Sequence, residues 1–549
     1  MVIGVLVWRW RTPIPVIVPD IEIDDCIIAN PGYVGAKVCG ECHNARLHEF
    51  EQTRHFRATW TPENGPMPNS FTPQVARHVS RYPQLQFEMS ATPNGYQETV
   101  VRDRNRESHR IDWIYGAGGR ADEVYFTWKG DRLYELPIGW LWPTTQWGEQ
   151  MFNPDADADI LRTTTPRCVE CHNTWGVHIP GTENEYRRDS FIKGVQCEKC
   201  HGPAQQHVNH HREHQNETVA HSIVHPGQLS RDRQMDVCAQ CHSNAPYLRA
   251  PAFTYRPGEP LENCYRTLKV DRLEDDHVAD QVRYLKKSQC YQHSDSLTCV
   301  TCHNPHKLTN AKKVESACLQ CHQPADCHER ERLPMGVRDQ CVSCHMPNYN
   351  RIAVKFHTAD DQFVFPMRPH DHRIAVYPHA RDEVLATWYR SQNDDASRQQ
   401  VVKLSKSLTD YWFGQAETFR ANQYPFTAEI NQRWGMALLA LEKWHDAELK
   451  FRHVLKIDPK LANAHQGLSV ALRRQGGHSD ESLLFARRAV KLSDQQNADM
   501  LLTLVDAYAE AQQITEAIET ANRALSVAQK QSPELVRPIR KRLAELQKF

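Results

Sequence analysis

Apolar and small side chains recur at helical spacing through the C-terminal third of the chain, from about residue 384. Three successive stretches repeat one arrangement of small and apolar positions, as expected for paired helices that pack closely. The repeated positions are Gly435, Ala447, Phe451 and Pro459, then Gly467, Ala486 and Ala489, then Tyr508, Ala517, Ala521 and Ala524. The pattern predicts an α-solenoid over residues 421–549 after a helical linker over 381–420, with a plain helical bundle as the alternative.

A different pattern, alternation of apolar and polar residues, marks residues 80–147. LQFEMSATPNGYQETVVRD predicts two strands around a Pro-Asn-Gly turn, and EVYFTWKGDRLYEL predicts a second hairpin at Lys-Gly-Asp. We therefore expect a mainly α protein with a small β-rich insertion. The insertion is rich in aromatic residues, which form either the core of a β-layer or the lining of a substrate or cofactor pocket. These are Trp113, Tyr115, Tyr125, Phe126, Trp128, Tyr134, Trp140, Trp142 and Trp147.

Residues 1–30 form an N-terminal segment of ambiguous character. Met1 to Trp8 is apolar but too short to span a bilayer, and no basic residues precede it. A truncated signal or anchor and an edge strand are both consistent with it. The formal net charge of the whole chain is -1, so no global field draws it to nucleic acid.

The candidate cofactor-binding residues lie in residues 31–380, where the motif C-x-x-C-H occurs seven times. We number these copies motif 1 to motif 7 in chain order. They are Cys39-Cys42-His43, Cys168-Cys171-His172, Cys197-Cys200-His201, Cys238-Cys241-His242, Cys299-Cys302-His303, Cys318-Cys321-His322 and Cys341-Cys344-His345. The spacing is that of c-type haem attachment, in which two thiols bind the porphyrin and the histidine ligates iron.

Zinc and disulfides explain this pattern less well. A structural zinc site needs four ligands, usually from two C-x-x-C pairs, and does not require histidine after each pair. A disulfide framework does not require that histidine either. The motifs thus predict seven covalently attached haem c groups. Cys26, Cys264, Cys290 and Cys327 remain, either as buried small residues or in a disulfide such as Cys290–Cys327.

Each haem iron has a second axial position, for which other histidines are candidates. His55, His178, His207 and His306 have positional support, since they follow motifs at short offsets or, for His55, lie on an expected extension of the motif 1 helix. His277, His357, His225 and His372 are weaker candidates. Bis-histidine ligation predicts low reduction potentials, because an axial methionine would raise them.

Residues 31–380 resemble multihaem c-type cytochromes of the cytochrome c-554 kind, whose haem packing recurs in nitrite reductases and hydroxylamine oxidoreductases. The resemblance is carried by CGECH with Thr-Arg-His at 53–55, GVQCEKCHGPAQQH, CVTCHNPH and CVSCHMP. It implies closely stacked haems whose distal histidines come from other segments. Nitrite reductases usually carry C-x-x-C-K at the catalytic haem, which this chain lacks. The C-terminal stretches resemble tetratricopeptide repeats, which implies a docking surface for peptides or proteins.

The sequence accordingly predicts a multihaem cytochrome c that transfers electrons and docks redox partners through its C-terminal repeats. The alternative is an oxidoreductase acting on a small nitrogen or sulfur compound at one five-coordinate haem, and a third possibility is a redox sensor. Covalent haem attachment in bacteria takes place outside the cytoplasm, so we expect a periplasmic or otherwise exported protein, with a membrane tether at the N-terminus as an option.

Overall fold

The architecture comes from a computed structural model of the chain. It describes residues 28–67, 71, 77–80, 82, 84–119, 122–142, 145–150, 161–243, 247–266, 280–308, 311–348, 356–358, 362–364, 369–392, 394–421, 428–493, 495–532 and 535–548. The N-terminal segment up to residue 27, with Cys26, and the candidate ligand His277 lie outside these ranges.

The first ten helices are mostly short, and they carry the cysteine motifs. They are α1 (Ala36–Phe50), α2 (Pro166–His172), α3 (Cys197–His201), α4 (Gln205–Glu213), α5 (Arg231–His242), α6 (Gln281–Lys287), α7 (Gln289–Gln292), α8 (Cys299–Cys302), α9 (Ala311–Cys318) and α10 (Cys341–His345). Motifs 2, 4 and 7 end their helices, whereas motif 1 lies inside α1, where His43 has non-helical backbone angles.

Strands occupy the interval between motifs 1 and 3, with a few short strands later. They are β1 (Thr59–Trp60), β2 (Arg77–Val79), β3 (Leu85–Thr92), β4 (Gly95–Arg102), β5 (Asn105–Arg110), β6 (Trp113–Tyr115), β7 (Val124–Lys129), β8 (Arg132–Glu135), β9 (Ile138–Leu141), β10 (Gln146–Gln150), β11 (Arg162–Thr163), β12 (Asn173–His178), β13 (Tyr186–Lys193), β14 (Tyr247–Leu248), β15 (Tyr265–Arg266), β16 (Phe356–Thr358) and β17 (Gln362–Val364).

These strands form three larger antiparallel sheets and two separate two-stranded sheets. The sheet orders are β1-β6-β7-β8-β11, β17-β16-β10-β9 and β2-β3-β4-β5, and the separate pairs are β12-β13 and β14-β15. Both hairpins expected from the sequence form, with Thr92 opposite Gly95 and Lys129 opposite Arg132. Gly95 and Gly130 adopt positive φ angles at these turns, which glycine accepts without a steric penalty.

The aromatic residues of the insertion mainly build its core. Trp140 and Trp147 pack together with Leu85, Phe87 and Ile138 in one buried cluster, while Trp113, Phe126 and Tyr186 belong to a second. Burial of these rings is the main stabilising contribution of the β-layer. The core interpretation therefore holds, and two of these buried rings, Tyr115 and Phe126, also line the functional cavity described below.

The described residues after motif 7 include nine further helices: α11 (Pro378–Gln392), α12 (Asp395–Ala421), α13 (Ala428–Ala440), α14 (Trp444–Ile457), α15 (Ala462–Gln475), α16 (Ser479–Leu492), α17 (Ala498–Glu510), α18 (Ile514–Gln531) and α19 (Val536–Leu546). Each packs against the next along the chain. Phe451 on α14 lies between Gly435 and Gly467, and a Cβ at Gly467 would lie 2.3 Å from the Phe451 ring. Small residues thus permit the close helix packing that the sequence pattern predicts.

Within the described ranges, no helix combines the length and the hydropathy needed to cross a bilayer.

One expectation about the helices is wrong. The motif 1 helix does not continue through His55; α1 ends at Phe50, and residues 51–58 form turns. Thr53 causes part of this change, because its hydroxyl donates to the Phe50 carbonyl and accepts from the Phe56 backbone N–H. Side-chain hydrogen bonds of this kind compete with helix continuation.

Candidate functional site

All seven C-x-x-C-H motifs face a single cavity of about 3650 Å³. Each of the 21 motif residues lines it. An ordinary small-molecule pocket occupies roughly 300–1,000 Å³, so this space suits several large cofactors. The motif segments lie mostly on helical turns, where residues three apart share a face, so both thiols of a motif point the same way. The seven motifs thus surround one cavity, and each contributes two thiols and one imidazole to its lining.

The cysteines do not assemble into zinc sites in the part of the chain that the structure describes. Two C-x-x-C pairs around zinc would bring four sulfur atoms close together, at Zn–S distances of about 2.3 Å. One group there has metal-binding proximity, and it contains histidine and glutamate without cysteine. The donor set and the space therefore fit haem and not tetrahedral zinc.

Four motif histidines face a second histidine across the cavity. The ring centroids are 6.4 Å apart for His43 and His207, 6.2 Å for His242 and His55, 6.1 Å for His201 and His306, and 6.2 Å for His303 and His372. Metal–imidazole bonds are about 2.0–2.1 Å long, so two imidazoles on opposite sides of one metal ion place their centroids about 6.3 Å apart. The four pairs have the spacing of bis-histidine ligation.

Hydrogen bonds orient many of these rings. Since a backbone carbonyl can only accept, the Nδ1–H of the histidine donates and Nε2 is left as the ligand atom. This arrangement holds for His201 to Val224 at 2.8 Å, His207 to His221 at 2.9 Å, His345 to Ala375 at 2.9 Å, His372 to His370 at 2.8 Å and His172 to Ala58 at 3.3 Å. Such partners fix the tautomer that metal ligation needs.

Burial favours the neutral form of five of the eight paired imidazoles. It lowers the pKa of both His55 and His372 to about 4, and it lowers the pKa of His201, His303 and His306 as well. The charges of neighbouring histidines act in the same direction on His55, whose pKa is lowered further by His242 and His303. A neutral imidazole is the form that binds a metal ion, so these sites need not lose a proton near pH 7.

Contacts between cysteines give the motifs a spatial order. The side chains of Cys39 and Cys197 interact, and so do those of Cys171 and Cys241, Cys238 and Cys299, and Cys318 and Cys341. Electrostatic interactions also link Cys200 with Cys238 and Cys302 with Cys321. The motifs therefore follow the spatial series 1, 3, 4, 5, 6, 7, with motif 2 beside motif 4. This order differs from the order along the chain.

Motif 2 has a different neighbour from the four paired motifs. The ring of His172 stacks on Tyr115, with centroids 4.3 Å apart and planes 6° from parallel. Among the described residues no histidine ring contacts that of His172, and the same is true of His322 and His345. Asp122, Glu135 and Arg162 also line the cavity. The surroundings of motif 2 thus combine an aromatic ring with charged groups.

The other candidate ligands have varied positions. His225 lines the cavity without facing another imidazole, whereas His178 lies outside the lining, and its Nε2 contacts the Thr182 carbonyl at 3.0 Å. The structure therefore does not bring His178 to the motifs. His357 lies on β16, and its side chain is outside the described residues. His178 and His207 both follow a motif histidine by six residues, but His207 lies on α4, which borders the cavity, whereas His178 ends strand β12.

The expected disulfide does not form. Cys290 and Cys327 are both free, as is the buried Cys264. Cys290 interacts electrostatically with Cys321, and Cys327 with Cys344, so each lies near a motif cysteine. The two cysteines do not pair because the fold places them beside motifs 6 and 7 and not beside each other.

Residues 144–202, which include motifs 2 and 3, match the family model of cytochrome c554 and c-prime. This match supports a multihaem c-type cytochrome. No curated protein matches the chain. Among solved structures, the outer cell wall cytochrome OcwA is similar at 15% identity over 81% of this chain and 100% of that chain, with a TM-score of 0.39.

Proteins with TPR domains and MamA are also among the solved structures to which the chain is similar. A thermophilic TPR protein from Thermus thermophilus, TTC0263, is 17% identical over 31% of this chain and 82% of its own, with a TM-score of 0.23. MamA 41-end from Desulfovibrio magneticus RS-1 is 18% identical over 30% of this chain and 94% of its own, with a TM-score of 0.20.

Proposed function

We propose that this multihaem cytochrome carries seven covalently bound haem c groups and transfers electrons between partners. The observation that carries the proposal is the set of four histidine pairs, 6.1 to 6.4 Å apart, around a cavity lined by all seven motifs. When bound, haem c supplies one-electron chemistry at iron. The cysteines of each motif hold it covalently, and the motif histidine ligates the metal.

The protein contributes orientation and exclusion of water. Backbone carbonyls fix the ligand rings, as Val224 does for His201 and Ala375 for His345. The interior is largely removed from solvent at motif 4, where Cys238 and Cys241 lie against buried residues of α5. The contact series through motifs 1, 3, 4, 5, 6 and 7 gives a continuous route between two ends of the domain, which suits transfer better than a single redox sensor does.

Optical and electron paramagnetic resonance spectra of the oxidised holoprotein test this proposal. We expect low-spin signals of bis-histidine coordination to account for at least the four paired sites, together with low midpoint potentials in a redox titration. Spectra dominated by high-spin iron, or high potentials typical of methionine ligation, would overturn the assignment of His55, His207, His306 and His372 as distal ligands.

A second candidate function is favoured by the surroundings of His172. Three motif histidines face no histidine among the described residues, and of these His172 stacks on Tyr115 and belongs to the motif whose Cys168 lies near Glu135 and Arg162. Motif 2 is therefore the site we propose for a five-coordinate haem in an oxidoreductase. Asp122 and Arg162 would then supply charged groups beside a small nitrogen or sulfur substrate. A high-spin component that shifts on addition of nitrite or hydroxylamine is expected in that case, and its absence excludes this function.

We further propose that the C-terminal helices dock a redox partner. The cavity lining ends at Arg381, so none of the described residues beyond it contributes to the cavity. Phe413 and Leu449 are half-exposed on the helical array. Substitution of both by serine should slow electron exchange with a physiological partner and leave exchange with a small chemical reductant unchanged. Equal rates for wild type and variant with the partner would refute docking on this surface.

A further inference from the structure

A group of histidines after motif 3 exceeds what haem ligation uses. α4 and the following loop carry His207, His210, His211, His214 and His221. His207 faces His43 and is accounted for. The ring contacts of the other four within the described residues are with one another and with His207, and not with a motif histidine, which prompts the question of what they bind.

Three side chains of this segment converge on one point. The Nε2 of His210 lies 2.7 Å from one carboxylate oxygen of Glu217, and the Nε2 of His221 lies 2.8 Å from the other. Their ligand atoms all lie within 4.8 Å of one another. The two imidazoles stack with centroids 4.1 Å apart, so both are held in place.

The chemistry of this donor set matches a borderline transition-metal ion. Two histidines and one glutamate are a recurrent ligand set for Zn²⁺ with one open position, at metal–ligand distances of about 2.0–2.2 Å. Two imidazoles stacked at this distance repel each other when both are protonated, whereas one divalent ion would satisfy both nitrogens and the carboxylate. The side chains of His210, Glu217 and His221 are 28%, 35% and 44% exposed, so an ion can enter from solvent.

We propose that His210, Glu217 and His221 form a binding site for a divalent transition-metal ion, with Zn²⁺ as the representative. His211 lies beside it, with its ring 6.3 Å from that of His221, and within the described part of the chain its buried Nε2 has no hydrogen-bond partner. That nitrogen is a further donor close to the site. None of the three proposed ligands belongs to a C-x-x-C-H motif, although Glu217 and His211 also line the cavity that the motifs surround.

The site is connected to the axial ligand of motif 1. The Nδ1–H of His207 donates to the backbone carbonyl of His221 at 2.9 Å, so one residue both binds the ion and orients that ligand. This step rests on the proposed haem at motif 1. Added positive charge near an iron favours its reduced state. The bound ion therefore raises the reduction potential of that haem.

Isothermal titration of the chelator-treated full-length holoprotein with Zn²⁺ tests the site. We expect one tight equivalent in the wild type and at least about a tenfold loss of affinity in Glu217→Gln and in His210→Asn. His445→Asn is the matched control, because His445 is an exposed histidine 3.8 Å from the single acid Glu448 and has no second imidazole there. Wild-type affinity in Glu217→Gln and His210→Asn, or no stoichiometric binding, overturns the site.

A redox titration with and without Zn²⁺ tests the connection. One component should shift upward in the wild type and stay fixed in Glu217→Gln. Zn²⁺ binding with unchanged potentials overturns the connection and leaves the site standing. Haem content is measured first, from the mass and the visible spectrum. A protein without haem would contradict the proposed function, whereas loss of Zn²⁺ binding would contradict only the metal site, since Zn²⁺ binding does not require haem.

Discussion

At the scale of single residues, contacts between distant segments determine which histidine faces a motif histidine. His55 and His242 are far apart in sequence, and so are His303 and His372, yet both pairs have the ring separation of about 6.3 Å expected across one metal ion. Burial lowers the pKa of His55 and of His372 to about 4, and a carbonyl partner orients His372. A histidine without this environment, such as His178, makes only a local contact.

Substitution of His372 tests this selection. His372→Asn removes the imidazole that faces His303, so one low-spin component should be lost and a high-spin signal should appear. His178→Asn is the matched control and should leave the spectrum unchanged. Identical spectra for wild type and His372→Asn would argue against the pair.

Glu123 makes the stability of the β-layer depend on pH. Burial raises the pKa of Glu123 from 4.5 to about 7. The folded state therefore holds a proton that the unfolded state has lost, so stability is fully present below pH 4.5 and declines as the pH rises to about 7. The decline amounts to roughly 3 kcal/mol, and Glu123→Gln should remove it. Urea unfolding between pH 4.5 and 8 measures this, and parallel pH profiles for both proteins would contradict it.

At the scale of elements, the motifs are joined by contacts between segments. Glu198 lies inside motif 3, and its carboxylate accepts from the backbone N–H groups of Val34, Gly35 and Ala204 at 2.7 to 3.1 Å. It thereby attaches the chain entering α1 to α3, which places motif 1 beside motif 3. A carboxylate can accept all these bonds, whereas a carboxamide cannot.

Replacement of Glu198 should loosen this attachment. Glu198→Gln turns an NH₂ group towards backbone donors, so we expect a loss of about 1–3 kcal/mol in the free energy of unfolding. Glu41→Gln, at an exposed glutamate within motif 1, is the control and should change it by less than about 0.5 kcal/mol. Chemical denaturation of the three holoproteins gives the comparison. Equal stability of all three proteins would show that the contact is dispensable.

The helical array offers a second test at this scale. A Cβ at Gly467 would lie 2.3 Å from the Phe451 ring, so Gly467→Ala should destabilise the array by roughly 1–3 kcal/mol. Gly414 is a helical glycine with nothing within 4 Å of a Cβ, so Gly414→Ala should stabilise the chain slightly. Circular dichroism during thermal unfolding follows both. A neutral Gly467→Ala would contradict the close packing.

At the scale of the whole molecule, the sequence predicts most of the features that depend on local pattern. The C-x-x-C-H motifs, both hairpin turns and the small residues of the helical array follow from spacing and side-chain size. The histidine pairs, the order of the motifs and the stacking of His172 on Tyr115 depend on contacts between distant segments. His55 shows the difference, since its helix was wrongly predicted while it still faces a distant motif.

Mass spectrometry of the denatured, full-length protein tests the central claim most directly, because thioether bonds survive unfolding while coordinated metal ions dissociate. If each motif lining the cavity binds one haem covalently, the chain mass is increased by seven haem groups. Peptide mapping then places one group on each motif. A mass equal to that of the bare chain, or chelator-removable zinc in place of haem, would contradict the account.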